Sequence, residues 1–203
     1  MRAVTLSVVV AAIASVATHA QPVSASLYGE LHWRQLGPFR AGWSTMVEGV
    51  PSEPNTFYFG AAGGGIWKTN DAGRTWRALF QDGPAASIGA LAIAPSNPNV
   101  IYIGTGQPEP RYDVAAGLGV FKSVDGGAHW QPLGLADTRY IGRIWVDPKN
   151  PDVVLVAAQG HFFGPSPKRG LYRSTDGGKT WSHVLQIDNW TGVVDLASDP
   201  KQP

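Results

Sequence analysis

The chain has 203 residues, of which 25 are Gly and 16 are Pro; 43% are hydrophobic and only 15% are charged. That apolar fraction is ample for a core and excludes a disordered chain. A net charge of +1 with scattered Lys and Arg leaves no basic stripe for nucleic acid, and the absence of Cys excludes disulfides and thiolate metal sites.

Residues 1–20 read as a secretory signal peptide. Arg2 supplies the positive start, residues 4–17 form the apolar stretch, and Thr18-His19-Ala20 ends in a small residue before Gln21. Val23-Ser24-Ala25 is an alternative cleavage site. The apolar stretch is too short to span a bilayer. Residues 21–203 are therefore expected to be secreted or periplasmic, with no membrane attachment after cleavage. An exported chain without disulfides must be stabilised by its core.

Two markers recur along the rest. The first is Ser/Thr-x-Asp-x-Gly-x-x-Trp: T-N-D-A-G-R-T-W at 69–76, S-V-D-G-G-A-H-W at 123–130 and S-T-D-G-G-K-T-W at 174–181. Each follows a short apolar run, and the starts lie 54 and then 51 residues apart. A period near ~50 signals a propeller or another repeat array. The second marker is a Pro-rich turn between apolar runs, starting at Val50, Ala94 and Asp147, with a fourth start, D-P-K-Q-P, at Asp199.

In the third unit the pattern predicts strand A over 141–146, B over 153–158, C over 170–173 and D over 180–185. The D-G-G between C and D suits a tight hairpin, because its residues tolerate positive φ. The boxed Asp71, Asp125 and Asp176 are expected to accept backbone N–H groups of their own turns, helped by Thr69, Ser123 and Ser174. Gly73, Gly127 and Gly178 complete the turns. Trp76, Trp130 and Trp181 are expected to be largely buried and equivalent. Four antiparallel strands per unit give the blades of a β-propeller. The expectation is an all-β, incomplete propeller: three full blades plus the first strand and half a turn of a fourth, the N-terminal piece of a longer protein.

Strand direction reverses at each turn, so the A–B and C–D turns share one face, the bottom. The B–C and D–A loops share the top. The B–C loop is minimal near 62–64 and expands to 106–118 and 159–169. Variable loops on a rigid scaffold are where binding residues sit. The top-face candidates are Arg40, Glu109, Arg111, Tyr112, Asp113, Arg139, His161, Phe162 and Phe163. The Phe162–Phe163 pair is either a ligand platform or a plug between blades.

The boxes resemble the Asp-box, or bacterial neuraminidase repeat, of sialidases, sortilin-type propellers, xyloglucan-hydrolysing endoglucanases and photosystem assembly propellers. Segments 33–42, 59–69, 141–152 and 160–174 are similar to large bacterial exported proteins grouped as glycosyl hydrolases with such repeats, or as sortilin N-terminal-like. The resemblance implies the fold and leaves the activity open. A glycoside hydrolase would need two facing carboxylates, for which Glu109, Asp113, Asp82, Asp137 and Asp188 are the candidates, against a reading as solvated loop charges. The sialidase Phe/Tyr-Arg-Ile-Pro motif is broken at Phe39-Arg40-Ala41-Gly42, and convergence of Arg40, Arg111 and Arg143 is uncertain since Arg143 lies in a strand. The catalytic Asp segment of xyloglucanases has its nearest counterpart at 68–71 with the Asp displaced, so Asp71 reads as the turn residue. One carboxylate per D-G-G turn falls short of a calcium site, and no metal or cofactor is expected. Residues 189–191 form a glycosylation sequon. The leading reading is an exported propeller whose top face binds a protein, peptide or glycan. The alternatives are a glycoside hydrolase completed by residues outside this sequence and a truncated product without function of its own.

Overall fold

The computed structural model describes residues 42–199, together with Ser24 and Tyr28. Residues 1–20, expected as a signal peptide, and Arg40 lie outside the described residues. The chain divides into two units, Met1–Pro38 and Phe39–Pro203, and every strand named below belongs to the second.

Among the described residues, twelve strands form three four-stranded antiparallel sheets, each built from consecutive strands. Blade 1 is β1 (Trp43–Val50), β2 (Glu53–Ala62), β3 (Gly65–Thr69) and β4 (Arg77–Ala78). Blade 2 is β5 (Ile88–Ile93), β6 (Ile101–Thr105), β7 (Val120–Ser123) and β8 (Gln131–Pro132). Blade 3 is β9 (Ile141–Val146), β10 (Val154–Ala158), β11 (Gly170–Ser174) and β12 (Ser182–Leu185). The first strand of blade 2, β5, contacts both β1 and β9, so the blades pack in sequence order through their first strands.

Strand A of the third unit spans the residues read from the sequence. Strand D begins two residues later than expected, because the Thr180 N–H donates to Asp176 Oδ1 at 2.9 Å and belongs to the turn. The outer strands β4 and β8 are only two residues long. Residues 191–198 form no strand, although Val193 N–H reaches Ala158 O at 3.3 Å; Asp199 is a lone bridge residue.

The faces follow the expected connectivity. In each blade the box turn is bonded to the Pro-rich side: Ala72 N–H donates to Asn55 O at 3.0 Å, Gly126 N–H to Asn99 O at 3.0 Å and Gly177 N–H to Asp152 O at 2.9 Å. On the other face the B–C and D–A loops are bonded to each other, by Gly65 N–H to Ala86 O, Gly117 N–H to Arg139 O and Ser166 N–H to Asn189 O.

Blade 2 is apolar on both sides. Ile101 and Ile103 enter a core shared with Tyr58, Ile66 and Val50 of blade 1, whereas Val100 and Tyr102 enter a core shared with Ile144, Val146, Val154 and Val156 of blade 3. Successive residues of a strand point to opposite faces, so a strand sandwiched between blades reads as a continuous apolar run.

The box Trp residues depart from the expectation of equal burial. Trp130 and Trp181 are half-buried, and Trp76 is 39% exposed. The cause is the neighbour each one has. The indole N–H of Trp130 donates to Leu79 O at 3.3 Å, and that of Trp181 to Leu133 O at 2.8 Å, each in the outer part of the preceding blade. A Cβ at Gly127 or Gly178 would lie 2.7 or 2.4 Å from the Leu79 or Leu133 methyl, so these leucines pack directly on the box turns. Trp76 bonds only within its own turn, to Gly73 O at 3.1 Å, and meets Phe59 edge-on.

Two outcomes follow for unfolding measured in urea. Trp130→Ala is expected to cost about 3 kcal/mol, the lower range for large aromatic truncation, and Trp76→Ala roughly half as much. Ala72 holds a left-handed φ of 59° where the other boxes have Gly126 and Gly177. Ala72→Gly should therefore stabilise the chain, by about 1 kcal/mol.

Candidate functional site

The three boxes form the same local network. Thr69 Oγ1 donates to Asp71 Oδ1 at 2.7 Å and accepts the N–H of Gly73 at 2.9 Å. Asp71 Oδ1 also accepts Thr75 N–H at 2.9 Å, and its Oδ2 the Thr75 hydroxyl at 2.6 Å. Asp176 repeats this with Ser174 and Thr180. In the second box His129 stands where the others have Thr, and its Nδ1 meets Asp125 Oδ2 at 2.6 Å. These bonds favour the charged carboxylate. Thr75 above all holds Asp71 down to about 2, and hydrogen bonds from His129 and Thr180 hold Asp125 and Asp176 well below the usual carboxylate range. Three hydrogen bonds within the turn thus engage both oxygens of the carboxylate, which leaves Asp71 in the role of turn former rather than acid or nucleophile.

The top face has a different character. It holds a cleft of about 450 Å³ where the first strands of the three blades meet, lined by Thr45, Gly89, Gly142, Arg143, Glu109 and Asp195 among others. Thr45, Gly89 and Gly142 are the residues skipped by the ladders β1–β2, β5–β6 and β9–β10, one bulge per blade at the same place. A bulge re-aims the backbone, and it brings the strands close together here. A Cβ on Gly89 would lie 2.4 Å from Ile141 O, and one on Gly142 the same distance from Val194 O. Thr45 instead reaches out with its hydroxyl, which donates to Gly60 O at 3.0 Å and Ile88 O at 2.5 Å.

Arg143 is the organising cation of the cleft. Its Nε lies 3.6 Å from Asp195 Oδ1 and its Nη1 3.8 Å from Met46 Sδ of blade 1. Glu48 lies close enough to feel Arg143, yet burial outweighs that attraction and pushes its carboxyl up. Asp195 escaped the sequence reading, although a signal existed. Met46, Ala90, Arg143 and Asp195 each stand four residues before the start of a Pro-rich turn.

Of the expected top-face residues, Glu109 lines the cleft. Arg111 pairs with Asp113 at 3.3 Å and lies 4.3 Å over the Trp43 ring, which ties the blade 2 loop to the start of blade 1. Arg139 is exposed, with a left-handed φ of 57°. The two phenylalanines have separate fates. Phe162 stacks on Tyr140 at 4.0 Å, while Phe163 points outward. Their loop is held from beneath by buried Arg169, whose guanidinium donates to His161 O and Gly164 O. Asp188 accepts the N–H groups of Trp190 and Thr191, which lower its pKa and mark it as a turn former. Exposed aromatic rings gather on this face: Trp43 at 47%, Tyr112 at 89%, Phe163 at 65% and Trp190 at 66%. Among the described residues no group of His, Asp and Glu is arranged to hold a metal ion, and no helix is long and apolar enough to cross a membrane.

The BNR/Asp-box repeat family model matches residues 172–183, the hairpin of the third box. The chain is a run of Asp-box propeller blades. It is 29% identical over 182 residues to a xyloglucanase from Paenibacillus sp, an alignment covering 77% of this chain and 17% of that protein. The structure of the GH74 xyloglucanase from Xanthomonas campestris matches with a TM-score of 0.54 and 26% identity, over 75% of this chain and 22% of that one. An ancestral GH74 enzyme matches in fold with a TM-score of 0.56 and 22% identity, over 72% of this chain and 19% of that one. The chain thus spans about a sixth of the length of the Paenibacillus relative.

The box carboxylates give the protein an acid-sensitive edge. Their folded pKa values lie below the ordinary value of 3.8, so their stabilisation is complete above that value and is lost as pH falls through the folded values, near 2 for Asp71. The melting temperature is expected to fall steadily between about pH 4 and about pH 2, and Asp125→Asn should flatten that slope when melts are followed by circular dichroism.

Proposed function

We propose that the top face of these blades binds a glycan of the xyloglucan type. The observation that carries this reading is that Trp43, Tyr112, Phe163 and Trp190 are all exposed on the face that holds the cleft. Flat aromatic faces offer apolar area to the C–H faces of pyranose rings, and a few polar groups then fix orientation. Arg143, Gln159, Glu109 and Asp195 supply such groups in the cleft, with donors and acceptors matched to sugar hydroxyls. The xyloglucanase relatives support the choice of a glycan over a peptide. Export through the N-terminal segment would bring the protein to polysaccharide outside the cell.

A second reading, hydrolysis of the bound glycan, is favoured by one observation: Glu109 and Asp195 line the same cleft. Two carboxylates facing one sugar are the minimum for glycosidic cleavage. Reducing-end release from xyloglucan, abolished in Glu109→Gln with binding retained, would establish it. Binding without release leaves the chain as a glycan-binding scaffold.

The binding reading is tested by calorimetric titration with xyloglucan oligosaccharides, with a mixed peptide library as the control. Phe163→Ala and Tyr112→Ala are each expected to weaken binding roughly three- to tenfold, from a ring contact worth about 0.5–1.5 kcal/mol. Absence of glycan binding, or binding unchanged in both variants, would overturn it.

A further inference from the structure

The outer part of the junction between blades 1 and 2 holds a pocket of about 340 Å³, lined by Phe80, Gln81 and Asp82 of blade 1 and by Phe121, His129 and Trp130 of blade 2, among others. It shares no lining residue with the cleft on the top face. Both walls come from blades whose four strands are all described. The floor is aromatic. Phe80 and Phe121 are buried and meet edge to face at 5.4 Å, and Phe80 meets Trp130 in the same way at 5.6 Å. The loop closes over Phe80 at Gly83, where a Cβ would overlap the ring. The rim is polar. Gln81, Asp82 and His129 are exposed, and among the described residues neither Gln81 nor Asp82 makes a side-chain hydrogen bond or ion pair.

These residues are departures from the repeat. Counted from the box Trp, Phe80, Gln81 and Asp82 correspond to Gly134, Leu135 and Ala136 of blade 2, and His129 corresponds to Thr75 and Thr180 of the other boxes. Polar side chains added to one repeat without a partner in the fold point to function. His129 is oriented by its own box. Hydrogen bonds hold Asp125 well below the usual carboxylate range, so it is charged and its Oδ2 can only accept. The His129 Nδ1 at 2.6 Å therefore carries the proton. Nε2 of the neutral ring is left as an acceptor. With the Asp82 carboxylate and the Gln81 amide, the rim offers mainly acceptors, spread around an apolar floor. We propose that this pocket binds one neutral pyranose residue, with its C–H face on the aromatic floor and its hydroxyls donating to Asp82, His129 and Gln81. A volume near the lower bound of ligand sites suits one ring rather than a chain. An ammonium or guanidinium group would find a single free carboxylate there, since Asp125 engages both oxygens within its own turn. The pocket is separate from the cleft, so the assignment stands whether or not the cleft takes a glycan.

The test is an NMR titration of the purified chain, isotope-labelled at its tryptophan indole nitrogens. The Trp130 signal is identified as the one lost in Trp130→Phe. The probes are the methyl glycosides of glucose, xylose and galactose, with acetyl-arginine amide as the cationic control. At least one glycoside is expected to shift the Trp130 signal saturably, with a Kd on the order of millimolar. Asp82→Ala and His129→Thr should each weaken that binding about fivefold, through the loss of one hydrogen bond to the sugar. Both side chains are exposed, and Thr is the residue that the other two boxes carry, so the fold is retained; an unchanged circular-dichroism spectrum checks this. A Trp130 signal that none of the three glycosides moves at about 100 mM would overturn the proposal. So would a shift that both variants leave intact, or one that the arginine control produces and no sugar does.

Discussion

Each blade after the first is anchored by the seating of its box Trp on a leucine in the outer part of the blade before it. The blades themselves are short, and their outermost strands are two to four residues long. Such strands have little cohesion of their own. The indole supplies apolar area and, through its N–H, a bond to the carbonyl of the same leucine. The turn Gly beneath it has no Cβ, and that absence lets the leucine methyl approach. Aspartate, serine or threonine, glycine and tryptophan in the box therefore act as one unit: the first three fix the turn, and the turn presents the fourth to the neighbouring blade.

Near the first strands the same close approach has a different result. One bulge per blade draws the three strands together and requires Gly, or a Thr whose hydroxyl satisfies the carbonyls it meets. The cleft opens above this constriction. Arg143 reaches across it to Met46, and the charge balance there is struck between one guanidinium and the carboxylates of Glu48 and Asp195. The bottom face spends its carboxylates on turns, whereas the top face leaves Glu109 and Asp195 on an open cleft surrounded by exposed rings.

Much of the architecture was legible because it is written in local pattern. The repeated Asp turn, the Pro-rich turn and the apolar runs located the strands, and chain reversal assigned the faces. The burial of the tryptophans was not legible, since it depends on whether a leucine of the preceding blade stands opposite, and Trp76 holds the same place in its box as its fellows. The phenylalanine pair was left open for a similar reason. Adjacent residues on a loop diverge, and only the position of Tyr140 decides that Phe162 stacks inward while Phe163 faces out. Asp195 was missed because its segment had no second strand by which to recognise it, although its spacing from the next Pro-rich turn equals that of Arg143.

The box network also bears on how the chain assembles. All of its side-chain bonds join residues two to four positions apart, so they close without bringing distant parts of the chain together. Each sheet, in turn, pairs only strands that follow one another. Closing short loops costs little chain entropy, and contacts of low sequence separation form quickly. The third and fourth strands of a blade close over a short loop, the box, that carries its own hydrogen-bonded turn. Folding of this chain should accordingly start at several equivalent hairpins, with the tryptophan contacts between blades following as neighbouring hairpins mature.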